Sequence, residues 1–86
     1  MELVLYTSAF CAPCVRARSV FGNAEKLLPQ ARFREVDVPS NLGESESSGI
    51  VSTPTLVVLR EGTEVFRASG VPSVQQVLAA AALALD

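Results

Sequence analysis

Cys11 and Cys14 are the only cysteines in this 86-residue chain, and two residues separate them in the stretch FCAPC. Thiols at this spacing can meet, so a disulfide between them can open and close within one short segment. A pair whose task was to staple the fold would gain more by closing a long loop. There is no histidine, which removes His-based nucleophilic catalysis, His metal ligation and His pH sensing together. Zinc asks for four ligands. Two thiols supply half a site, so a metal-binding module would need a second chain, as would an iron–sulfur cluster shared between two chains. The pair therefore has three readings: reversible redox exchange, half of a metal site in a dimer, or a static disulfide.

The position of the thiols separates their chemistry. ELVLYT (Glu2–Thr7) is a run of apolar and β-favouring residues that predicts a strand buried on both faces. Pro13 suits the first turn of a helix, where its missing N–H costs nothing. Beyond Cys14, apolar or small residues recur at Ala17, Phe21, Ala24 and Leu28, with Val20 and Leu27 widening the stripe, until Pro29 ends the helix. Gly22 predicts a bend near the middle. The dithiol thus falls at a strand-to-helix junction. A helix N-terminus carries about half a positive charge and unpaired N–H groups, and there a cysteine pKa can drop from about 8.5 to about 3.5–7.5. Cys11, ahead of the helix, is expected to be the exposed nucleophile. Cys14, one turn in on the apolar side, is expected to stay protonated until it resolves the mixed disulfide.

The remaining pattern sets the frame. Phe33, Val36 and Val38, interleaved with Arg34, Glu35 and Asp37, predict a second strand, and residues 40–48 are expected to hold one or two helical turns. TLVVLR (Thr55–Arg60), a turn with Gly62 at its tip, and EVFRAS predict a hairpin. Ser73 with Gln76 forms a capping box ahead of a last helix whose expected apolar face is Val74, Val77, Leu78, Ala81 and Leu85. The order β-α-β-(α)-β-β-α predicts an α/β fold: a mixed four-stranded sheet flanked by helices, in one domain spanning residues 1–86.

With 49% hydrophobic and 19% charged residues, the chain has enough apolar side chains for one core and is not disordered. A net charge of −2 predicts no general affinity for nucleic acid or anionic membranes. No apolar run is long enough for a membrane span. The N-terminal run carries Glu2 and no preceding basic residue, so a buried strand fits it better than a secretion signal. The expected compartment is a reducing cytoplasm, where close cysteine pairs are redox-active or metal-binding rather than static.

These residues resemble the thioredoxin superfamily over nearly the whole chain. CAPC is similar to the thioredoxin CGPC, with Ala12 in place of glycine, and Thr53-Pro54-Thr55 resembles the family's cis-proline loop facing the dithiol. Read alone, Pro54 fits an ordinary trans proline at the start of a strand; the resemblance implies a cis one. Gly62 resembles the family's hairpin turn and Gly70 a glycine beside the substrate groove. The chain resembles a minimal, glutaredoxin-sized member that opens at the strand before the dithiol. What the resemblance implies is a minimal thioredoxin fold and a thiol–disulfide oxidoreductase that reduces protein disulfides. Cys11 and Cys14 would be catalytic, and Phe10, Ala12, Pro13, Thr53, Pro54 and Gly70 would bind substrate. The backbone of Thr53 would pair with an extended substrate strand. Implied partners are disulfide-containing proteins and a thioredoxin-reductase-type electron donor; a monomer is expected, and no cofactor is implied.

The chain also departs from the family. Leu5 stands where thioredoxins have a buried aspartate that accepts the proton of the resolving thiol, Phe33 falls near its lysine partner, and Phe10 replaces a tryptophan. Deprotonation of Cys14 must then use water or another route. A glutaredoxin-like enzyme acting on glutathione or another small-thiol mixed disulfide is the alternative. Yet Ser8 replaces the lysine that would grip a glutathione carboxylate, and no acidic pair follows Gly70. Phe10 reads equally as core or as a substrate contact. Arg16 and Arg18 read as a solvated face that would favour the Cys11 thiolate if near it.

Overall fold

In the computed structural model, which describes residues 1–85, strand β1 is Glu2–Thr7 and its last five residues are all buried. Both faces of this strand are covered, which is why ELVLYT shows no alternation. Helix α1 follows at Ala12–Leu27, with Pro13 in its first turn and Leu28 as its C-cap ahead of Pro29. It runs unbroken through Gly22. Strand β2 (Arg32–Asp37) lies parallel to β1. A 3-10 turn at Val38–Ser40 and a short helix α2 (Leu42–Ser47) occupy the stretch expected to hold helical turns. Strands β3 (Thr55–Arg60) and β4 (Thr63–Ser69) form the hairpin. Its two turn residues, Glu61 (φ 50°) and Gly62 (φ 82°), both take the left-handed conformation that tight hairpins require. Helix α3 (Val74–Ala82) starts on the capping box: the Ser73 hydroxyl accepts the Gln76 N–H at 3.1 Å, and the Gln76 side chain accepts the Ser73 N–H at 2.8 Å.

The sheet order is β2-β1-β3-β4, with β3 antiparallel to both neighbours. This is the mixed four-stranded sheet that the element order predicts. Leu3, Leu5, Leu56 and Val58 project from one face onto Ala17, Phe21 and Ala24 of α1 and Val77, Ala80 and Ala81 of α3. Val4, Tyr6, Val36 and Val57 project from the other, toward Val38 and Ile50. Each buried Leu or Val contributes roughly 1.5–3 kcal/mol relative to exposure, so the central strands hold most of the apolar stabilisation.

Two expected core residues face outward. Leu27 is 60% exposed, because it flanks the α1 stripe in its final turn, where Leu28 turns inward instead. Leu85 is 54% exposed, because α3 ends at Ala82 and the helical period no longer places it; Ala80 and Ala84 are buried in its stead. Among the described residues, no helix is long and apolar enough to cross a membrane.

Candidate active site

β1 delivers the chain to the dithiol, and α1 begins on it. Cys11 is the N-cap of α1: its carbonyl and its Sγ both accept the Cys14 N–H, at 3.1 and 3.2 Å. Its backbone is extended (φ −113°), as an N-cap requires. The two sulfurs are bonded to each other, and the Cα atoms lie 5.2 Å apart. Cys11 is partly exposed, whereas Cys14 is wholly buried on the inner side of the first turn. The asymmetry expected from the sequence is therefore present in the fold. Ala12 and Pro13 lie on the outer side of that turn, exposed.

Phe10 belongs to the surface, not the core. It is fully exposed, with φ 57°. A bulky L-residue in the left-handed region costs about 1–3 kcal/mol and occurs where the surrounding structure enforces it. A cleft of about 510 Å³ opens beside it, lined by Ser8, Phe10, Cys11, Ala12, Val15 and Arg18. Arg18 lines the same cleft as Cys11, with its charge paired to Glu35 at 2.7 Å. Arg16 faces solvent.

The Thr53–Pro54 peptide is cis. Its loop is tied to the dithiol loop by a 2.9 Å hydrogen bond between the Ser8 and Thr53 hydroxyls. The Thr55 hydroxyl donates to the Ser52 carbonyl at 2.7 Å, closing the turn from below. Gly70 donates its N–H to the Pro54 carbonyl at 2.9 Å, with φ 90°, a conformation suited to glycine. Gly70 also lines a second cleft, about 560 Å³, between β4 and α3. The fold thus brings Phe10, Cys11, Thr53, Pro54 and Gly70 to the ends of β1, β3 and β4.

Sequence reasoning gave no warning of three further connections. Arg67 on β4 donates to the Ser48 and Gly49 carbonyls at the end of α2 and pairs with Glu64 at 2.7 Å, anchoring the segment that leads into the Pro54 loop. Arg34 pairs with Glu44 at 2.8 Å, tying α2 to β2. Their mutual hydrogen bond raises the Arg34 pKa and lowers that of Glu44. Glu35 accepts hydrogen bonds from Thr7 at 2.8 Å and from Arg18 at 2.7 Å, beneath the dithiol end of α1. Apart from the Arg67–Glu64 pair, three residues apart, these links join residues ten or more positions apart, and no local pattern announces them. Leu5 and Phe33, two of the three residues at which the chain departs from thioredoxins, both lie in or against the core under α1.

A strand-to-helix dithiol facing a cis-proline loop on a four-stranded mixed sheet defines a thiol–disulfide oxidoreductase of the thioredoxin type. The thioredoxin family model matches residues 1–82, and the chain belongs to that family. It is 28% identical over 70 residues to a thioredoxin of Chlamydia pneumoniae, covering 81% of this chain and 69% of the relative. It is 30% identical over 79 residues to thioredoxin H4-1 of Oryza sativa subsp. japonica, covering 90% of this chain and 60% of that protein. The solved structure of Fasciola hepatica thioredoxin superposes with a TM-score of 0.84 at 25% identity, covering 92% of this chain and 76% of the other.

Proposed function

We propose that the chain reduces disulfides in protein substrates, with Cys11 as attacking and Cys14 as resolving thiol. The observation that carries this reading is the pairing of a partly exposed N-cap cysteine with a fully buried one, beside the cis Thr53–Pro54 loop. The Cys11 thiolate attacks a substrate sulfur, forming a mixed disulfide and releasing the first substrate thiolate. Cys14 then loses its proton and attacks Cys11. The Cys11–substrate bond breaks, the second substrate thiolate leaves, and the Cys11–Cys14 disulfide forms. The Thr53 backbone aligns the substrate segment, and Phe10, Ala12, Pro13, Pro54 and Gly70 form the rim it rests on. A thioredoxin-reductase-type flavoenzyme returns the two electrons. The working form is a monomer, and the compartment is the cytoplasm.

The test is insulin reduction driven by dithiothreitol. Wild-type protein accelerates it, and Cys11→Ser loses the acceleration entirely. A Cys11→Ser variant as active as wild type overturns the assignment.

A further inference from the structure

The inner face of β1 ends on a polar residue. Leu3, Leu5 and Thr7 alternate onto the same side of the strand, and Thr7 is 0% exposed. Its hydroxyl donates to Glu35 Oε2 at 2.8 Å. Glu35 is the register partner of Leu5 on the neighbouring strand. The chain therefore places a carboxylate on the strand beside Leu5. The same Oε2 accepts from Arg18 Nε at 2.7 Å. Arg18 is one turn after Cys14, on the same side of α1, and helical side chains lean back toward the N-terminus. Glu35, Thr7 and Arg18 thus form a polar cluster at the edge of an otherwise apolar interface: Thr7 is buried, the Glu35 and Arg18 side chains are 38% and 43% exposed, and Cys14 is buried one helical turn before Arg18.

We propose that Glu35, acting through the Thr7 hydroxyl, takes up the proton that Cys14 must lose in order to resolve the mixed disulfide. This rests on the redox reading of the dithiol. The Thr7 hydrogen is already directed at Glu35, which leaves an oxygen lone pair to accept the Cys14 proton as the Thr7 proton passes to Oε2. The Cys14 thiolate attacks Cys11, the Cys11–substrate bond breaks, and the proton on Glu35 returns to the leaving thiolate or to solvent. The charged groups around the relay are few. Arg18 faces it from α1, and Cys11 adjoins through the cleft that Arg18 lines. Asp37 lies further along the same side of β2, where it accepts the Ser40 hydroxyl at 2.7 Å. β1 and α3 bring no further charged side chain to this side. Arg18 holds the carboxylate in place and is a positioning residue.

Rapid mixing of reduced protein with a chromogenic aryl disulfide, dithiobis-nitrobenzoate, reads both steps as two releases of coloured thiolate. In wild type, the second release reports resolution by Cys14. In Glu35→Gln, the second release slows by about tenfold or more near neutral pH, and the first changes by less than about twofold. The gap narrows toward about pH 9, as hydroxide ionises the thiol directly, and Glu35→Asp recovers part of the rate. Thr7→Val reproduces the loss. A second release that is unchanged in Glu35→Gln, or slowed equally at every pH, overturns the relay, as does a Thr7→Val variant that resolves at the wild-type rate. If wild type gives no second release at all, the redox reading itself fails, which is a different result.

Discussion

The two faces of the sheet are built differently. Under α1 and α3 the interface is almost wholly apolar, and its polar groups gather at one end, around Thr7 and Glu35 beside the dithiol. On the α2 face the buried apolar patch is smaller, and a partly exposed polar network fastens the helix. The Tyr6 hydroxyl donates to Ser48 at 3.1 Å and lies 3.4 Å from Glu44, and Arg34 bridges Glu44 and Glu2. Burial stabilises the first face, at some cost wherever a polar group must be accommodated. The second is held by interactions that water and salt weaken. Polarity on the α2 face fastens a helix to the sheet, whereas on the α1 face it is confined to the Thr7–Glu35–Arg18 cluster at the dithiol end.

Cavity formation tests this contrast most strongly. Leu56, 1% exposed under α3, should lose about 2–5 kcal/mol of stability as Leu56→Ala, read by denaturant unfolding. Val36→Ala on the α2 face should cost less, and the contrast fails if it costs as much. A smaller effect is expected from Tyr6→Phe, about 0.5–1.5 kcal/mol, with the rate of Cys11 attack on an aryl disulfide unchanged. A changed thiol rate would show that the two faces are coupled. The smallest effect concerns acid. The Arg34 hydrogen bond lowers the Glu44 pKa in the folded state. Stability from this pair is therefore fully present above the unfolded carboxylate pKa and is lost as pH falls through the folded value. Both partners are about a third exposed, so the contribution lies within the roughly 0–1 kcal/mol of surface pairs. Thermal unfolding at descending pH should show a shallower decline in Glu44→Gln than in wild type.

Local physics made much of the molecule legible. β1 and β3 occur where their apolar runs place them, because a strand covered on both sides needs no partner information to be recognised. The Ser73 capping box and the Gly62 turn act within four residues of backbone, so their sequence pattern is nearly their structure. The dithiol was readable for the same reason: Cys11, Pro13 and Cys14 interact within a single helical turn. Leu27 and Leu85 were misplaced because a helical period says nothing about where a helix stops or how far its neighbour reaches.

The sequence by itself determined the elements, the chemistry of the thiol pair and the unequal exposure of its two members, since each follows from contacts a few residues apart. The tertiary structure alone decided what surrounds that pair. The Ser8–Thr53 link, the Arg67 anchor and the Thr7–Glu35–Arg18 cluster join residues separated by 45, 18 or 19, and 17 or 28 positions. They arise from strand register and from the packing of α1 on the sheet. Register is set by the sum of many apolar contacts, and no single residue along the chain announces where that sum will bring it.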